Sequence, residues 1–177
     1  MVTCVHTNGR SPKAKHKTFK FMAKTTKLVP REGKDGVRFY VSEDALEAYK
    51  ILKNGTRINV RATPTTCPNC KLKSNANRKQ RYLQFKGVWR HRGHILASHA
   101  VHLAWIGPIP DGFVVDHLNG VTTDNRASNL QAVTPAENAR RAKLLRVLRS
   151  IGRDPRRMSR SELLEIFNRY DFVKPKF

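Results

Sequence analysis

The stretch that most constrains this chain runs from Gly112 to Asn138. Its first part, Gly112-Phe113-Val114-Val115-Asp116-His117, is short and β-branched, which predicts a strand ending at an acid and a histidine. Asn119-Gly120 follows at once and marks a turn. A returning strand is expected around Leu130 to Val133, and then a helix opens. Thr134 can cap its N-terminus, Pro135 suits the first helical position, and Glu137 sits where a capping box places its acid. Asn138 therefore falls in the first helical turn. Strand, turn, strand and helix together allow Asp116, His117 and Asn138 to converge despite their separation in the chain.

As chemistry, Asp116 is a hard anionic oxygen donor, and His117 beside it can take a proton near neutral pH. That pairing suits metal-assisted hydrolysis. The runs Gly107-Pro108-Ile109-Pro110-Asp111-Gly112, Val115-Asp116-His117-Leu118-Asn119-Gly120, Asp124-Asn125-Arg126, Ser128-Asn129-Leu130 and Thr134 to Asn138 together resemble the HNH endonucleases. The resemblance spans residues 82 to 145 and is closest to the phage and intron-encoded homing branch, whose last motif position is Asn. It implies a ββα-metal finger, in which a β-hairpin and a helix clasp one divalent cation. It also implies Asp116 and Asn138 as protein ligands of the metal, His117 as general base, and Asn129 as the middle residue that braces the His-bearing strand and orients His117. Carboxylate and amide oxygens are hard ligands, so the expected cation is Mg²⁺ or Mn²⁺, held by few protein groups and otherwise by water and phosphate oxygens. Products with 5′-phosphate and 3′-hydroxyl ends are implied as well. The commoner family version has His at the last position; Asn138 removes an imidazole ligand, which bears on metal affinity more than on the reaction.

Turn chemistry alone explains Asn119, Asn125 and Gly120, and we read those three as structural. It does not require Asp116, His117, Asn129 and Asn138 together. Arg126, Arg140 and Arg141 read equally well as phosphate contacts or as solvated side chains.

Charge indicates the partner. The chain carries 35 Lys and Arg against 13 Asp and Glu, a formal net charge of +22. Such an excess repels itself in isolation and calls for a polyanion, for which double-stranded DNA is the expectation. RNA satisfies the same electrostatics, because phosphate attraction is blind to the sugar. No apolar run approaches a membrane span and no signal-peptide pattern opens the chain, so a cytoplasmic protein without a membrane partner is expected. Three cysteines fit a reducing compartment better than a disulfide framework.

The flanks are basic too. Residues 1–36 hold nine Lys or Arg and two acids, and read as a basic, partly flexible arm in which Phe19-Lys20-Phe21-Met22 has strand-like composition. Residues 37–81 read as a small basic α/β segment. Val37 to Val41 is strand-like there, while Ser42 to Lys53 looks helical: Ser42 as cap, acids first, lysines last, Asn54-Gly55 as stop, and Leu46 and Tyr49 inward. From Ile51 to Pro110 there is no acid against eleven Lys or Arg, which reads as a surface for phosphate. Cys67-Pro68-Asn69-Cys70 within it is half of a zinc-ribbon signature. Cys4 and His6 would complete four ligands for a structural Zn²⁺, against the reading we favour, a plain turn with free thiols.

Residues 82–145 are the expected nuclease core. Tyr82 to Phe85 and Gly87 to Arg90 alternate like a hairpin, and Ile95 to Trp105 has helical spacing. His91, His94, His99 and His102 read as structural histidines. After the finger the helix continues to about Ile151, Gly152 and Pro155 break it, and a second helix follows with Ser159 or Ser161 as cap. Residues 146–177 form this C-terminal helical segment, either a DNA-reading module or a brace on the core.

The sequence thus reads as an α+β protein with an HNH nuclease core, a basic N-terminal extension and C-terminal helices. The expected activity is Mg²⁺-dependent cutting or nicking of double-stranded DNA, with a monomer favoured and a phage or homing role by analogy. A catalytically silent nucleic-acid-binding protein on the same scaffold is the alternative.

Overall fold

The computed structural model describes residues 25–30, 36–65, 82–88 and 93–172. The zinc-site candidates Cys4, His6, Cys67 and Cys70 lie outside them, as do Phe19 to Met22, Trp89, Arg90 and His91.

The fold is mixed α+β. Its first sheet is an antiparallel meander of β1 (Thr26–Leu28), β2 (Arg38–Ser42), β3 (Ala48–Ile51) and β4 (Arg57–Asn59), in that order. Alternation in β2 turns Phe39 and Val41 into the core and leaves Arg38 exposed on the opposite face. A second antiparallel sheet, β5 (Ala62–Pro64), β6 (Leu83–Lys86) and β7 (His94–Leu96), packs beneath the first. The two are joined by Phe39 and Phe85, whose rings meet edge to face at 5.2 Å. Helix α1 (Ala97–Val101) and a wider π-type turn (His102–Ile106) close this core with Ala97, Ala100 and Val101. The Trp105 indole donates to the Val41 carbonyl at 3.1 Å.

The last part is the predicted hairpin and helices. β8 (Val114–His117) pairs with β9 (Leu130–Val133), and α2 (Pro135–Ser150) follows. Thr134 caps α2, its hydroxyl accepting from the Glu137 amide at 3.2 Å. The Glu137 carboxylate does not complete a capping box; it pairs with Arg140 and Arg141. The full box occurs at α3 (Arg160–Phe172). There the Ser159 hydroxyl accepts from the Glu162 amide at 3.2 Å, while the Glu162 carboxylate accepts from the Ser159 amide at 2.7 Å. Leu163 and Phe167 of α3 bury against Leu145 and Leu148 of α2 and against Leu118 beside the hairpin, forming a second core. The apolar face of α3 is consumed there, so this helix braces the finger.

Two local expectations fail. Ser42 to Lys53 is not a helix: the Ser42 hydroxyl donates to Asp44 at 2.7 Å and accepts from the Glu47 amide at 3.0 Å, closing a hairpin turn between β2 and β3. Side chains suited to capping serve that turn instead. Pairing of Val41 with Ala48 buries Ala48, whereas Leu46, expected inward, is 76% exposed. The second failure concerns Tyr82 to Arg90: β6 pairs with β5 on one side and with β7 at His94–Leu96 on the other, so its partner strand lies further along the chain than expected, while Trp89 and Arg90 lie outside the described residues.

Candidate active site

Pairing of Asp116 with Gln131 and of His117 with Leu130 sets the finger's register. Successive strand residues point to opposite faces. Asp116 accordingly meets α2, while His117 meets the side bearing Tyr82, whose ring centroid lies 6.1 Å from the imidazole.

His117 is 4% exposed, and its Nε2 lies 3.1 Å from Asn125 Oδ1. The Asn125 amide donates through Nδ2 to the Thr123 carbonyl, which assigns Oδ1 to the ring. An oxygen there requires a proton on Nε2 in the neutral ring, so Nδ1 carries the lone pair. Burial pulls the His117 pKa below the ordinary histidine value, against the upward pull of Asn125, Asp116 and Asp124. The ring is therefore neutral at neutral pH. His99 on α1 is half-buried, and burial lowers its pKa too, with His102 and His117 as further causes. His102 is buried and spends Nδ1 on the Gly107 carbonyl at 2.9 Å, which makes it a structural histidine.

Asn129 ties the loop between the strands. Its Oδ1 accepts from the Asn119 amide at 3.1 Å, and its Nδ2 donates to Asn119 Oδ1 at 3.0 Å and to the Asp124 carbonyl at 2.8 Å. Contact with the His117 ring falls to Asn125, not to Asn129. Asn129 acts one step removed, by holding the loop that carries Asn125. Asn119 and Asn125, read from the sequence as turn formers, are both buried in this network. No spacing rule singled them out, because asparagine is common in turns for backbone reasons.

Gly120 sits in the same loop at φ +68°, where a Cβ would lie 2.7 Å from Arg149 Nη2 and 3.0 Å from Leu145 Cδ1. The arginine end can move, but the leucine belongs to the second core. Left-handed backbone adds roughly 1–2 kcal/mol for an L side chain. Gly120→Ala is thus expected to destabilise the protein by about 1–3 kcal/mol, read as a lowered urea midpoint with unchanged slope.

Asp116 is 8% exposed, and its Oδ2 is buried with no hydrogen-bond partner. Arg141 Nη1 stands 3.6 Å from that oxygen, a charge neighbour beyond hydrogen-bond length. Burial raises the Asp116 pKa, and the nearby Arg141 and His117 lower it less. Asn138, half-buried in the first turn of α2, precedes Arg141 by three residues and so shares the helix face that turns toward Asp116.

Arg141 itself is not available to a phosphate backbone. It is 7% exposed and bonds Glu137 at 2.6 Å and Gln131 at 3.0 Å, with its guanidinium 4.8 Å from the Phe167 ring centroid. It locks α2 to β9 and α3. Arg140 is exposed and pairs with Glu137. Arg126 is exposed and forms a two-pronged pair with Asp124, both bonds 2.8 Å; hydrogen bonding from Arg126 is the main cause that holds the Asp124 pKa low.

Among the described residues no three His, Cys, Asp or Glu side chains cluster to hold a metal. The oxygen donors that could serve a cation there are the Asp116 carboxylate and, from the first turn of α2, the Asn138 amide, a set that would fit a hard cation keeping most of its water. The orphaned Asp116 oxygen supports that fit, since a buried carboxylate with accepting capacity left over is costly without a cation.

No helix among the described residues is long and apolar enough to cross a membrane. No curated protein and no solved structure matches the chain. A family model described as HNH endonuclease matches residues 96–140, from the last residue of β7 through the hairpin to the first turns of α2. Over that segment, about a quarter of its length, the chain is similar to the HNH endonucleases.

Proposed function

We propose that this protein is a metal-dependent endonuclease that hydrolyses phosphodiester bonds of double-stranded DNA. One observation carries the proposal: a buried, neutral His117 with Nε2–H tied to Asn125 and the Nδ1 lone pair uncommitted stands next to a buried carboxylate with an unpartnered oxygen. That is a general base beside a hard ligand.

Asp116 and Asn138 would hold Mg²⁺ or Mn²⁺, which when bound polarises the scissile phosphate and stabilises charge on the leaving 3′ oxygen. His117 Nδ1 accepts the proton of the attacking water. The Asn125 carbonyl oxygen holds the opposite ring edge, and Asp116 and Asp124 favour the imidazolium that forms. Asn129 keeps the loop, and with it Asn125, in place during this transfer. Products would carry 5′-phosphate and 3′-hydroxyl ends. One finger supplies one site, so a monomer nicks a single strand. A phage or homing role follows from the resemblance of the motif to that branch of the family.

The test is supercoiled plasmid with Mg²⁺, with Mn²⁺ and with excess chelator, beside a structured RNA of equal phosphate concentration. Open circles that appear only with metal, with the RNA left intact, are the expected result. DNA binding without strand breakage under either metal would instead make this a silent scaffold.

A further inference from the structure

The first sheet lies outside the matched segment, and its outer face is solvent-facing. Cross-strand pairing sets Leu28, Tyr40, Tyr49 and Asn59 in one row, and Arg38, Ile51 and Arg57 in the next, all on the face opposite Phe39 and Val41. Tyr40 and Tyr49 stack at 4.9 Å with planes 13° apart, and the Arg57 guanidinium lies 3.8 Å from the Tyr49 ring centroid. The Tyr49 hydroxyl accepts from Thr26 at 3.3 Å. Arg38, Arg57 and the following-turn Lys53 are exposed, and no strand of this sheet contains an acid. Glu43, Asp44 and Glu47 are confined to the β2–β3 turn, at the opposite end of the sheet from Lys53.

We infer that this face is a second DNA-binding surface, which grips the phosphate backbone of a duplex through Arg38, Lys53 and Arg57. Stacking on Tyr49 holds the Arg57 fork in one orientation, so less rotamer freedom is lost when its N–H groups meet a phosphate. The Tyr49 ring is already in use between Tyr40 and Arg57, and Tyr40 gives one of its faces to that stack. A splayed base finds no open face on Tyr49, and the row of cations beside it matches a phosphate backbone, so the charge complementarity favours intact duplex. The surface reads no base edges and adds affinity without sequence preference. This inference rests on the proposed DNA substrate and adds to it where the substrate is held.

The experiment is fluorescence anisotropy of the full chain on a labelled duplex in chelator, so that no strand is cut, over a series of salt concentrations. Arg38→Gln/Arg57→Gln is expected to weaken binding about tenfold and to reduce the slope of log affinity against log salt by about 2. Arg157→Gln/Arg169→Gln removes the same formal charge from the C-terminal helical region and is expected to leave the slope near wild type. Arg38→Gln/Lys53→Gln spares the Arg57–Tyr49 stack and gives the same slope reduction should the first pair melt early. A wild-type slope in both sheet variants, an equal loss in the C-terminal variant, or tighter binding of single strands than of duplex would each overturn the inference. Because no cleavage is read, a loss of binding in the sheet variants stands even if plasmid is never nicked.

Discussion

Replacing His117 by alanine is expected to slow metal-dependent strand breakage by about 10²–10⁴ while leaving duplex binding in chelator intact, because general-base catalysis is worth roughly that factor. The geometry makes the prediction specific. Nε2 is committed to Asn125, so only Nδ1 can receive the proton. Added imidazole should restore part of the rate in the alanine variant, which a purely structural histidine would not allow. The pH profile of the wild type provides a second check. The base works in its neutral form, and burial sets the pKa of His117 below the ordinary 6.5. The rising limb of the single-turnover rate should therefore lie below pH 6.5, with a plateau through neutrality. A limb centred above pH 7 would assign the proton transfer to another group.

Asp116→Asn should separate activity from stability. Strand breakage is expected to fall by about 10²–10⁴, since metal assistance is worth several kcal/mol of barrier. Without metal, the variant is expected to melt at a higher temperature than the wild type. The carboxylate is buried with an orphaned oxygen, and burial dominates its raised pKa. Losing the 3.6 Å contact matters less to Arg141, which keeps Glu137 and Gln131. The pH dependence follows from the sign of the shift. A carboxyl whose folded pKa is raised above its unfolded value destabilises the fold above that raised pKa, and the penalty disappears as pH falls toward 3.8. The melting advantage of the variant should thus be largest near neutrality and shrink in acid. Mg²⁺ should raise the wild-type melting temperature and not that of the variant. Equal melting in chelator at pH 7, or an equal Mg²⁺ response, would remove Asp116 from the metal site.

The resemblance carried by Asp116, His117, Asn129 and Asn138 spans residues 82 to 145, and the family match covers residues 96–140 within it. Elements whose boundaries rest on local backbone chemistry were the readable ones. β-branched residues before Asp116 form a strand, Thr134-Pro135 opens α2, Gly152 lies just past its end, and Ser159 caps α3. Where one set of side chains serves two local structures, the sequence misleads. Ser42, Asp44 and Glu47 carry helix-start chemistry and turn chemistry alike, and the choice fell to the strands that Phe39 and Val41 anchor in the core.

The sequence by itself determined the strands and helix of the finger, its polar residues and a formal net charge of +22 that suits a polyanion. Tertiary structure decided which neighbours those residues meet. It set Asn125, not Asn129, on the His117 ring and drew Arg141 out of solvent into a lock between α2, β9 and α3. It also gathered Arg38 and Arg57 onto one face of a sheet. The physical reason is the same in each case: capping and turn preferences act over a few residues, whereas burial and pairing depend on segments brought together only when the chain has packed.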